Sequence, residues 1–102
     1  MDRVGVDAHV FDTLMKELVG RDKKPSAFLV YLHLWRRSRG GTLSWIPASH
    51  ASVAQGTGLS KSAVQDGIKV LARRKLIRSV RTSPTGVPRY EVRKPWGRGP
   101  KP

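Results

Sequence analysis

The sequence predicts a mainly α domain with a small β-hairpin. Three observations carry that prediction. Four helical stretches can be bounded by capping and breaking residues. Two runs near the C-terminus, "KLIRSVRT" and "VPRYEV", read as strands on either side of "SPTG", a tight turn with Pro84 and Gly86. The chain has 102 residues, enough for one small domain and little else.

In chain order, Asp7 caps a first helix, "AHVFDTLMKELV". Phe11, Leu14, Met15 and Leu18 repeat there at helical spacing, Val10 widens the stripe, and Gly20 ends it. "GRDKKP" is a polar connection closed by Pro25. Ser26 caps "AFLVYLHLWRRSR". Phe28, Tyr31, Leu32 and Trp35 form one apolar stripe, and Leu29, Val30 and Leu34 form a second beside it. A helix so apolar must be buried on more than one face. The rest of the chain covers one face, and the first helix or a second copy of the protein must cover the other. Arg36, Arg37 and Arg39 crowd its C-terminal end, where cations suit the helix dipole, and Gly40-Gly41 breaks it.

"TLSWIP" reads as a short strand that Pro47 ends. Ser49 caps a short helix to about Gln55, and Ser60 caps a longer one to about Arg74. The two hairpin strands follow. From Arg93 onward, "RKPWGRGPKP" is basic and rich in Pro and Gly, which predicts a mobile tail. The expected division is therefore a domain over 1–92 and a tail over 93–102.

Charge narrows the function. Lys and Arg number 20 against 7 Asp and Glu, a net of +13. Residues 1–50 contribute only +3 of this, and residues 51–102 contribute +10. Such an excess predicts a polyanionic partner, because each phosphate contact releases condensed counterions. The chain has no cysteine, which excludes disulfides and thiolate metal sites and fits a reducing, cytoplasmic setting. No apolar run has the length of a signal peptide core or a membrane span, so no membrane partner is expected.

The stretch "QGTGLSKSAV", residues 55–64, admits two readings. A phosphate-cradling loop of the form G-x-x-x-x-G-K-[ST] would need glycines at 55 and 60, which are Gln55 and Ser60. A G-x-G-x-x-G fingerprint fails at Lys61. The corner between two helices fits instead. Gly58 can adopt the left-handed conformation that ends one helix, Leu59 drops into the core, and Ser60 caps the next. Val64, Ile68 and Leu71 then form the buried stripe of that helix, with Ala63 and Gly67 as small flankers. Gly67 stands where a larger helix former is usual, at about 1 kcal/mol relative to Ala, and close packing is its expected reason.

"SVAQGTGLSKSAVQDGIKVLARRKLI" resembles the helix-turn-helix core of winged-helix bacterial transcription regulators. Ala54, "GLS" at 58–60, Val64 and "L-x-x-x-x-L-I" at 71–77 carry the resemblance. With the strands and the Ser26 helix it covers about residues 26–92. It implies a winged helix-turn-helix with an extra N-terminal helix. It also implies that helix 60–74 enters the major groove of double-stranded DNA while the 78–92 hairpin acts as a wing.

On that helix Ser62, Asp66, Lys69 and Arg73 point away from the core, with Gln65 at the flank. Ser62, Gln65 and Lys69 become candidates for base edges and Lys61 for a phosphate, and Ser60 and Arg73 complete the DNA-binding set expected of this helix. Asp66 is expected to pair with Lys69 or Arg73 along the helix. In the wing and tail, Arg78, Arg81, Thr85, Arg89, Arg93 and Lys94 are candidates for backbone or minor-groove contact. Trp96 either stacks on nucleic acid or closes the fold. Trp35 and Trp45 read as core aromatics. His9, His33 and His50 have no metal-ligand spacing, and no catalytic constellation stands out, so neither enzyme activity nor a cofactor is expected. The expected function is sequence-specific binding of double-stranded DNA by a small transcriptional regulator, a homodimer through its N-terminal helices. The alternatives are an RNA-binding or ribosome-associated protein, or a replication or plasmid-maintenance assembly module on the same fold.

Overall fold

A computed structural model describes residues 3–81 and 86–98. Its elements follow the predicted order: helix, helix, strand, helix, helix, strand, strand. Of the expected "SPTG" turn, residues 83–85 lie outside the described residues.

The first helix, α1, comprises the segments Val10–Leu14 and Lys16–Arg21, joined through Met15. It is wound more widely than an α-helix. The Met15 N–H donates to Val10 O and the Asp22 N–H to Glu17 O, each five residues back. The wider turn brings residues four apart nearly into line, so Val10, Leu14 and Leu18 are buried. Phe11 and Met15, expected in the core stripe, face outward instead. Two further expectations are corrected here. Gly20 does not end α1, which runs on to Arg21. Nor does the Asp7 side chain cap it. Its carboxylate accepts the Trp96 indole N–H at 3.1 Å, and only its backbone O accepts the Val10 N–H, at 3.0 Å.

Helix α2 spans Pro25–Arg37. Pro25, rather than a Ser26 cap, opens it. A proline suits the first helical position because its missing N–H would have no partner there. Ala27, Phe28, Val30, Tyr31, Leu34 and Trp35 are buried, on more than one face as expected. Helix α1 packs against α2, which answers how its second face is covered within one chain.

The strands β1 (Ile46–Pro47), β2 (Ile77–Val80) and β3 (Arg89–Val92) form an antiparallel sheet in the order β1-β3-β2. Ile46 and Ser79 both pair with Tyr90, and Ile77 pairs with Val92. Ile46, Ile77, Tyr90 and Val92 are buried, which defines the inner face. The neighbouring register positions, Pro47, Arg78, Val80, Arg89 and Glu91, therefore lie on the outer face.

Helices α3 (His50–Thr57) and α4 (Lys61–Arg73) complete the fold. Helix α4 crosses α2 at Gly67. A Cβ there would stand 3.2 Å from Ala27 Cα, Ser26 O and Val30 Cγ2. Close packing, expected from the sequence, is thus the reason for the glycine. At the end of α4 the Arg74 guanidinium donates to Glu17 Oε1 at 2.6 Å and Asp22 Oδ2 at 2.9 Å, tying α1 to α4. Residues 93–96, assigned by composition to the tail, lie against the fold. Tyr31 OH donates to Arg93 O at 2.8 Å, and Trp96 stacks on His9 with ring centroids 4.4 Å apart. Trp96 closes the fold. Among the described residues no helix is long and apolar enough to cross a membrane.

Candidate nucleic-acid interface

The corner between α3 and α4 is built from its own side chains. Ser49 caps α3 by accepting the Ser52 N–H at 3.0 Å. At the other end Gly58 takes φ +84 and its N–H returns to Ala54 O at 2.8 Å. Only glycine adopts that conformation without strain. Thr57 Oγ1 donates to Val53 O at 2.7 Å and accepts the Leu59 N–H at 3.2 Å. Ser60 Oγ accepts the Ala63 N–H at 3.1 Å and so caps α4. Leu59 is half-buried at the edge of the core rather than inside it. Gly56 lies directly under the His33 ring, which a side chain at 56 would overlap.

The exposed side of this corner carries the predicted helix residues. Ser60, Lys61, Ser62, Gln65 and Lys69 are all exposed. Ser62 Oγ lies 3.3 Å from Ser60 Oγ, so the second hydroxyl leans on the cap. Gln65 and Lys69 line one side of an open groove of about 370 Å³, and Val80 and Arg81 of the hairpin line the other. His50 sits in the same groove with Nδ1 3.4 Å from Gln65 Nε2. Burial, then the Arg81 and Lys61 cations, push the His50 imidazole below its usual range. Tyr90, which also lines the groove, is pushed up by burial. None of the described residues lining this groove is acidic.

The acids are spent elsewhere. Asp66 accepts a hydrogen bond from Lys24 Nζ at 2.8 Å, a residue of the α1–α2 connection. That corrects the expected pairing with Lys69 or Arg73, because Lys24 reaches the carboxylate from outside the helix. The Lys24 hydrogen bond holds the Asp66 carboxyl below the usual carboxylate range. Arg73 belongs to the same flank, beside Asp22, Lys24 and Arg74, and not to the groove.

The hairpin and tail cations divide between two faces. Arg81 lines the α4 groove, whereas Arg78 and Arg89 lie on the outer face of the sheet. Arg78 sits 5.7 Å from the centre of the Trp45 ring and 3.7 Å from Glu91 Oε1. Arg93 approaches Glu91 Oε1 at 3.8 Å, and Lys94 Nζ lies 5.4 Å from the Trp35 ring centre. Thr85 lies outside the described residues. Trp35 is a core aromatic as expected, 2 % exposed. Trp45 is not. It is half-buried, just before β1, against the outer face. The strand expected over "TLSWIP" shortens to Ile46–Pro47, which leaves this ring outside the regular sheet.

Two residues of these surfaces escaped sequence reasoning. His50 opens α3, and only the Ser49 cap before it hints that it stands at a helix terminus. Trp45 reads as core because tryptophan usually is, and no local pattern reveals which face of a two-residue strand it joins. Comparison of the chain with protein-family models, with curated proteins and with solved structures found no match.

Proposed function

We propose that the chain is a winged helix-turn-helix protein that binds double-stranded DNA sequence-specifically, as a small transcriptional regulator. The observation that carries this reading is the exposed corner at Gly58–Ser60 with Gln65 and Lys69 presented beside it, facing a groove without acids. Helix α4 enters the major groove, where Gln65 suits adenine and Lys69 suits guanine. Lys61 and Arg81 meet phosphates on either side, and His50 supports Gln65 from behind. The element order and the small antiparallel sheet, ordered β1-β3-β2, are compatible with such a domain and support the reading. The mechanism is binding alone, and the net charge of +13 supplies most of the affinity.

The reading includes a homodimer through α1. Phe11, Met15 and Val19, four residues apart, form an apolar stripe on its outer side, 46 %, 39 % and 39 % exposed. A two-fold partner would bury that stripe, and dimers of this kind read two half-sites about one DNA turn apart. Selection of sites from random duplex DNA at stated salt tests both parts. The expected product is a short palindromic site whose affinity falls steeply as salt rises. Recovery of unrelated sequences, or a stronger preference for structured RNA, overturns specific duplex binding. A monomeric mass at high micromolar concentration overturns the dimer.

A further inference from the structure

The outer face of the sheet adjoins the α4 groove at Ser79 and Val80, which line both, yet it carries cations of its own and a half-buried aromatic ring. Trp45, Arg78, Val80 and Arg89 line an open hollow of about 590 Å³. A second hollow, of about 640 Å³, is lined by Lys75, Arg78, Arg93 and Lys94 among others. The two share Arg78, so a track of cations leads to the tryptophan. Val80, 44 % exposed, adds an apolar side chain beside Trp45, Arg78 and Arg89. One acid, Glu91, stands at this face. Its buried Oε1 lies 3.7 Å and 3.8 Å from Arg78 and Arg93, forming ion pairs without a hydrogen bond, and so offsets part of their charge. The backbone at Trp45 is strained, at φ +56, a conformation bulky residues avoid unless the surroundings impose it. Here it turns the ring onto the sheet face while Ile46, next in the chain, enters the core.

A cationic track beside a partly exposed aromatic ring is what single-stranded nucleic acid requires. Phosphates follow the charge, and unpaired bases, which all have a π-face, stack on the ring. Duplex DNA offers no base to such a ring, because its bases are stacked on one another. We infer that the outer sheet face binds single-stranded nucleic acid, with an unpaired base stacked on Trp45 and the adjoining phosphates held by Arg78, Arg89 and Arg93. Trp45, Arg78, Arg89 and Arg93 do not line the α4 groove, and the inference does not depend on duplex recognition there.

The test compares three probes by fluorescence anisotropy: an oligothymidine strand, an abasic strand of the same length and charge, and a duplex. The full chain is expected to bind oligothymidine roughly tenfold more tightly than the abasic strand. Trp45→Ala should abolish that preference and leave duplex affinity unchanged, and Trp45→Phe should keep most of it. Arg78→Ala should weaken both single strands alike. Equal binding of the two single strands by the unaltered chain overturns the inference, whether or not any variant folds. So does a Trp45→Ala variant that keeps the preference, or one that loses duplex and single-strand binding in parallel. Loss of duplex selectivity in α4 variants speaks only to the groove.

Discussion

Gly67 illustrates how one absent side chain sets the geometry of the molecule. A methyl group there would meet Ala27 Cα and Ser26 O, both backbone atoms, at 3.2 Å. Backbone gives way less readily than a side-chain tip, so α2 and α4 would have to separate. Replacing glycine by alanine inside a helix ordinarily adds about 1 kcal/mol. Gly67→Ala is instead expected to destabilise the fold by about 1 kcal/mol in urea unfolding. A gain in stability would show that the helices are less tightly crossed than the geometry requires. The same crossing was legible in the sequence as an anomaly, a glycine amid helix formers. What the sequence lacked was the partner, because Ser26 and Ala27 lie some forty positions away along the chain.

Among the elements, α4 has two sides with opposite duties. Val64, Val70 and Leu71 hold it in the core, while Gln65 and Lys69 remain outside. Gln65→Ala and Lys69→Ala are therefore expected to leave stability within about 0.5 kcal/mol of the original. Each should relax duplex selectivity by about 1–3 kcal/mol at one base pair, read from competition between single-base variants of the selected site. Helix α1 depends on α4 through Arg74. Its pairs with Glu17 and Asp22 are about three-quarters buried, at 25 %, 29 % and 23 % side-chain exposure. Their worth lies between that of a surface pair and a fully buried one. Arg74→Met should cost about 2 kcal/mol, with α1 amides losing hydrogen-exchange protection first. Uniform loss of protection across the chain would show that α1 is not held separately.

For the whole molecule, the arrangement of charge matters more than its total. Glu17 and Asp22 are taken up by Arg74, Asp66 by Lys24, and Glu91 lies near Arg78 and Arg93. The carboxylates thus stand away from the α4 groove. The histidines make stability depend on pH. Burial, with Arg37 beside His33 and with Arg81 and Lys61 near His50, lowers both imidazoles below their usual range. The unfolded chain then binds protons more readily than the folded one. Stability should be full above about pH 6.5, the unfolded value, and fall as pH drops below it toward the lowered folded values. Urea midpoints measured on either side of that pH check the sign, and a midpoint that rose on acidification would contradict it.

The order of elements, the Gly58–Ser60 corner, the caps at Ser49 and Ser60 and the excess of cations were all determined by the sequence alone. Each depends on residues within a few positions of one another or on composition. The tertiary structure alone decided that Phe11 and Met15 face outward, that Lys24 and not a helical neighbour takes Asp66, and that Arg81 and Arg78 serve opposite faces. It also decided that Trp45 stands on the outside of the sheet. Those outcomes depend on which distant segments meet and on a helix wound more widely than the usual period, and local spacing carries neither.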